Sequence, residues 1–212
     1  MHLPKTTLPP ALNRCALLCI VALVAGCDIV PPAQTDPTRF FILSDSGHHA
    51  GQAQGGLRIG LQAVKVEGYL QNRDMVVRTG PNEVEFRDYR RWAEPLERAI
   101  GRALQSDLLA SPGVSQVWAE PFPGDGERDF DVSVEVTRFE GAATGSGRYV
   151  ASLSAIIEIS APGANPRIVA RRQFTAPDES WDGGDFDRLA GLLSADVAAL
   201  AREVLAEAPA KG

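Results

Sequence analysis

The chain has 212 residues, of which 44% are hydrophobic and 23% charged, with a formal net charge of −6. The length suits a core-forming domain rather than a disulfide-stapled miniprotein. An acidic chain without a basic patch argues against nucleic acid as a partner, because phosphate neutralisation needs clustered Lys and Arg.

The first 26 residues divide into three zones. Lys5 and Arg14 give a positive start, residues 15–24 (CALLCIVALV) are uniformly apolar, and Ala25-Gly26 are small. This is the layout of a secretory leader. Ten apolar residues are about half of what a membrane-spanning helix needs. Cys27 follows directly, and Val24-Ala25-Gly26-Cys27 resembles a bacterial lipobox. In such signals the cysteine sulfur receives a diacylglycerol, the chain is cleaved before it, and its new amine is acylated. The competing reading is an ordinary leader, or an N-terminal core helix, that happens to contain a cysteine. Length, flanking charge, small residues and cysteine position all agree on the lipoprotein reading. Each buried methylene contributes about 0.8 kcal/mol, so several acyl chains on one cysteine make a firm anchor.

The cysteine inventory fits. Cys15, Cys19 and Cys27 are the only three, so the cleaved and acylated chain keeps no thiol for a disulfide, metal or nucleophile. Loss of residues 1–26 removes two basic and no acidic residues, which moves the charge from −6 to −8. The acyl chains, not charge, then hold the protein at a membrane.

Residues 27–38 comprise the modified cysteine and a proline-rich tether, DIVPPAQTDPT. One domain spans 39–208. Arg39–Ser44 (RFFILS) predicts a short strand, and residues 44–56 a Gly/Ser-rich loop. Leu57, Ile59, Leu61 and Ala63 alternate before the phase slips to Val64 and Val66, which predicts a bulge. Asp74–Thr79 is a strand, followed by a Gly80-Pro81-Asn82 turn and a short VEFR strand. Pro95 is placed at the first helical position. Leu96, Ile100, Leu104 and Leu108 form one stripe with Ala99 and Ala103 beside it, and Ser111-Pro112-Gly113 ends the helix. Phe130–Val136 and Tyr149–Ile159 alternate as a long hairpin, with a further strand around Ile168–Phe174. Asp185 caps a second helix whose apolar positions are Phe186, Leu189, Leu193, Val197, Leu200 and Val204. The expected fold is therefore α/β of the α+β kind: a single domain with a mostly antiparallel sheet and two amphipathic helices packed on one face.

Candidate sites are few. His48-His49 with Asp45 falls short of a zinc site, which needs three or four ligands. Gly145-Ser146-Gly147 lies between strands, not on a nucleophile elbow, and has no nearby base. The acidic run Asp178, Glu179, Asp182, Asp185 and Asp187 does not match an EF-hand and reads as a solvated loop that complements a helix N-terminus. No catalytic residue and no metal is expected. Trp92, Trp118 and Trp181 are read chiefly as core, with Tyr69 and Trp92 as a candidate docking edge.

The segment YRRWAEPLERAIGRALQSDLLA, with its Trp-Ala-Glu-Pro-Leu start, resembles the PqiC-like ABC-type transport auxiliary lipoprotein family. The lipobox, the TRFFIL strand, the LRIGLQAVKVEGYLQNRDMVVRT block, the long hairpin and the last helix resemble it in the same order; Gly68 stands where that pattern has proline. The resemblance implies a periplasm-facing lipoprotein without catalysis, serving transporters with MCE domains in lipid or hydrophobic-solute traffic between membranes. It also implies diacylglycerol and an N-acyl chain on Cys27, no other cofactor, ABC/MCE transporter subunits as partners, and an outer-membrane location. Asp28 leaves the inner membrane open, and the possibility of a homo-oligomer is also left open. A rival reading is an envelope assembly lipoprotein such as a secretion-system pilot.

Overall fold

The computed structural model describes residues 35–45, 55–122, 128–163 and 165–208. From Thr38 onward the described chain belongs to one unit. Its elements in order are β1 (Arg39–Phe41), β2 (Leu57–Leu61), β3 (Lys65–Val66), a 3-10 turn (Gly68–Gln71), β4 (Asp74–Gly80), β5 (Glu83–Trp92), α1 (Leu96–Ala110), β6 (Val114–Ala119), β7 (Phe130–Ala143), β8 (Tyr149–Ser160), β9 (Ile168–Thr175), β10 (Glu179–Trp181) and α2 (Phe186–Ala206).

Strand β7 is the spine. Along one edge it pairs antiparallel with β8, from Asp131↔Ser160 to Ala143↔Tyr149. Along the other it receives three short strands in turn, all parallel: β2 at Ile59↔Phe130, β3 at Lys65↔Glu135 and β4 at Val77↔Gly141. Outside these lie β6, parallel to β2; β5, antiparallel to β4; and β1, parallel to β5. Strands β9 and β10 extend β8 antiparallel. The fold class is as expected, one α/β domain. The sheet is mixed: its long ladders are antiparallel hairpins, and the short strands docked on β7 are parallel.

Several local readings need correction. The phase slip after Leu61 is not a bulge within one strand. Residues 62–64 leave the ladder, and the chain rejoins β7 three positions further along as β3. The strand after the turn is far longer than VEFR. It runs to Trp92, because a three-residue excess on β5 separates the pairs Asp74↔Arg91 and Val76↔Phe86. Tyr89 sits in that excess with φ at 61°, a left-handed value uncommon for a residue with a side chain. Pro95 precedes α1 instead of opening it; its carbonyl accepts from the Arg98 and Ala99 amides. Glu179, read as loop, belongs to β10.

Both helices were legible and both bury their stripes. All six apolar positions named on α1 are buried, and all six on α2. Asp185 caps α2 by accepting from the Asp187 and Arg188 amides, each at 3.1 Å. Inward-facing Val132, Val134 and Val136 of β7 form the floor of the same core as Leu153, Ile157 and Ile159 of β8. At one end the core is aromatic. Trp92 packs on Phe139 at 5.7 Å between centroids, and Trp181 meets Tyr149 at 5.7 Å and Phe186 at 5.2 Å.

Gly141 on β7 makes room for that cluster. A Cβ there would lie 2.5 Å from Trp181 Cζ3, and the indole is pinned by its Nε1–H donating to the Asp185 carbonyl at 2.6 Å. Gly141→Ala is therefore expected to destabilise by about 1–3 kcal/mol through overpacking, read as a lower midpoint in urea.

Asp196 on α2 is only 4% exposed, and its Oδ2 has no hydrogen-bond partner. Burial, with the charges of Glu179 and Asp178 adding to it, raises its pKa to about 6. The folded value lies above the ordinary 3.8. The protonated form therefore favours folding below that value, and this contribution is lost as pH rises through about 6. Asp196→Asn is expected to stabilise the protein at neutral pH by about 1–3 kcal/mol, with the gain fading on acidification towards pH 4. Thermal melts across that range check it.

Candidate functional site

Cys27, Asp28 and His48-His49 lie outside the described residues. The other candidates can be placed. Ser146 belongs to the β7–β8 turn, where its hydroxyl meets Thr144 Oγ1 at 2.9 Å and accepts from Arg148 Nε at 3.1 Å. Asp182 accepts from the Gly184 and Asp185 amides, which holds its carboxyl below the usual range. It shapes the turn leading into the Asp185 cap. Among the described residues no three His, Cys, Asp or Glu are grouped to hold a metal ion.

Tyr69 and Trp92 share no exposed edge. Trp92 is 2% exposed, its ring in the core against Phe139, and Trp181 is likewise buried. Tyr69, in the 3-10 turn, is half-buried. Its hydroxyl faces Glu140 Oε2 at 2.9 Å and the Thr137 carbonyl at 3.3 Å.

Glu140 makes this cluster notable. Its side chain is fully buried, and its charge is met by Arg78, whose Nε donates to Oε1 at 2.5 Å. Arg78 Nη2 donates further to Glu140 Oε2 and to the Tyr69 hydroxyl, both at 3.4 Å, and the guanidinium lies 5.8 Å from the Tyr69 ring centre. Burial, reinforced by the Glu140 charge, pushes the Tyr69 hydroxyl up to about 12, so it stays a donor at neutral pH. The hydrogen bond to Glu140 raises the Arg78 pKa as well. The three groups tie the 3-10 turn, β4 and β7 together. A paired cluster of this kind holds the turn and the two strands in place.

A groove of about 430 Å³ opens between α1, the β2–β3 link and the end of β6. Leu61, Ala63, Val64 and Ala119 give it apolar walls, and Gly101 leaves the helix surface open to it. Its polar rim is held in place. Gln105 donates to the Val117 carbonyl, Arg102 to the Leu43 carbonyl and Glu94, and Glu120 accepts from the Ala63 amide.

Residues 41–205 match the ABC-type transport auxiliary lipoprotein component family. The chain belongs to that family. Two solved structures share its fold. One is a DUF330-family protein from Xanthomonas campestris, with a TM-score of 0.64 at 16% identity, covering 79% of this chain and 92% of its own. The other is an uncharacterized protein, with a TM-score of 0.61 at 18% identity, covering 80% and 97%. No curated protein matches the sequence. The family is an auxiliary lipoprotein of ABC-type transport, and no helix among the described residues is long and apolar enough to cross a membrane.

Among the described residues the exposed aromatic side chains are Phe40, Phe86 and Tyr89, none of them a candidate from the sequence, and Ile42 is exposed two residues after Phe40. The alternation in RFFILS was a usable signal, because burying Phe41 and Leu43 must turn Phe40 and Ile42 outward.

Proposed function

We propose that this protein is a lipid-anchored, periplasm-facing, non-enzymatic accessory subunit of an ABC/MCE-type system that moves lipid or hydrophobic solute between the two membranes. The family match over residues 41–205 carries this reading. It is supported by the preformed groove between α1, the β2–β3 link and the end of β6, where a partner segment can lie. Cys27 carries diacylglycerol and an N-acyl chain, and the proline-rich residues after it let the domain reach its partner from the outer membrane. The partners are the transporter's own subunits. Affinity capture of the tagged chain from a detergent extract of its native membranes tests the proposal. Recovery of an ABC permease, its ATPase and an MCE-domain protein is expected. Recovery of secretion-system components in their place would favour an assembly lipoprotein and overturn the transport reading.

A further inference from the structure

Six large apolar side chains are exposed among the described residues: Ile168 and Val169 on β9, and four, including all three aromatic ones, on or beside β1 and β5. Phe40 is 60% exposed, Ile42 65%, Phe86 43% and Tyr89 51%. Strand register places two of them on one face. Phe40 lies beside Arg91, Arg91 opposite Asp74, and Phe86 opposite Val76, two residues along the same strand as Asp74. Positions two apart on a strand share a face. Phe41 and Trp92, in register with each other, turn instead to the core. Phe40 thus turns away from the core that Phe41 enters, while Phe86 borders an open groove with Arg90 and Phe186 at the start of α2.

Arginines accompany these side chains. Arg39 and Arg90 are in register, and their guanidinium groups lie 5.5 Å from the Phe41 ring centre and 5.9 Å from that of Phe186. Arg87 and Arg91 each pair with an acid, Glu85 and Asp74. The edge therefore combines aromatic rings with long cationic side chains but carries little excess charge. Aromatic rings settle at the headgroup level of a bilayer, and arginine stems can lie in the apolar layer while the guanidinium stays wet.

Chain length says which surface is in reach. Phe40 lies thirteen residues after Cys27. Thirteen residues span at most about 45 Å fully extended and about 20 Å as a flexible coil. The β1 edge is where the domain begins, so an anchor at Cys27 brings it to the bilayer first. From this juxtaposition we infer that the β1–β5 edge rests on the bilayer that Cys27 enters, with Phe40, Ile42, Phe86 and Tyr89 in the headgroup layer. This rests on the anchored-lipoprotein reading. It adds an orientation: the β9 end of the sheet, opposite β1, points away from the membrane.

The test uses single thiols, since the cleaved and acylated chain has no free one. Ile42→Cys and, as a control of like exposure on β9, Val169→Cys are labelled with a polarity-sensitive dye. Each acylated full chain is reconstituted into phosphatidylethanolamine–phosphatidylglycerol vesicles carrying nitroxide lipid. Quenching is expected to be several-fold stronger at position 42 than at 169, and to persist in high salt because the edge is nearly charge-balanced. Vesicle flotation separates the two claims. Protein that floats but is quenched equally at both positions overturns the orientation and leaves the anchor standing. Protein that does not float overturns both. Protection at position 42 that arises only when transporter subunits are added assigns the edge to a protein partner and also overturns the inference.

Discussion

Glu140→Ala is expected to be the most damaging single substitution in the polar interior, costing about 3–5 kcal/mol of folding stability. The mutation leaves Arg78 partly buried with no carboxylate, and Tyr69 with one weaker acceptor, the Thr137 carbonyl. The cost comes from the stranded cation more than from the lost attraction. Three comparisons isolate that cause. Glu140→Gln keeps the shape but not the charge and is expected to recover only part of the loss. Tyr69→Phe removes a single hydrogen bond and is expected to cost about 1 kcal/mol. Removing the pair together, as Arg78→Met with Glu140→Leu, is expected to be much milder than Glu140→Ala alone, because no charge is left unmatched. Urea denaturation of the four variants checks the series, and equal losses in the single and double variants would refute the charge argument.

Cys27→Ser is expected to have the largest effect on location and almost none on the fold. A serine at this position offers no sulfur for the diacylglycerol. The acylation that precedes cleavage is then blocked, and the chain retains its leader. Any remaining attachment rests on ten apolar residues, too few for a stable span. Processed chains should be absent from the membrane fraction. Folded protein released by mild extraction should show the same urea midpoint as the parent, since residue 27 lies ahead of the unit that begins at Thr38. Fractionation with immunoblotting reads the first effect, and denaturation reads the second.

Helices α1 and α2 could be read directly because each repeats its apolar residues every three or four positions and carries end signals, Ser111-Pro112-Gly113 and Asp185. Strict alternation shows β8 and the first half of β7, but β7 runs on to Ala143 past a register shift between Val136 and Arg138 that breaks the pattern and carries the strand into the expected linker. Elements that escaped notice lack a periodic signal. In β6 the buried residues are Val114 and Val117, three apart, so alternation fails. The second half of β5 is concealed by its three-residue excess at Tyr89, which makes DYRRW resemble the run-up to a helix. Strand β10 is three residues inside an acidic stretch. No sequence pattern states that β2, β3 and β4 will line up in parallel along one edge of β7.

The site was less legible than the fold for a related reason. Glu140 is 62 residues from Arg78 and 71 from Tyr69, and only the stacking of β4 and the 3-10 turn on β7 brings them together. Tyr69 stands out in the sequence for its aromatic ring, whereas its place is set by its hydroxyl. Trp92 ends a strand and points inward. The family resemblance, by contrast, was carried by segment order along the chain, and the match over residues 41–205 agrees with it.

The account depends most directly on what is attached to residue 27. Mass spectrometry of the N-terminal peptide, taken from protein purified out of its native membranes, measures this. The account requires a peptide that begins at Cys27 and carries the added mass of a diacylglycerol and an amide-linked acyl chain. A peptide that begins elsewhere, or that begins at Cys27 with a bare thiol, would contradict it.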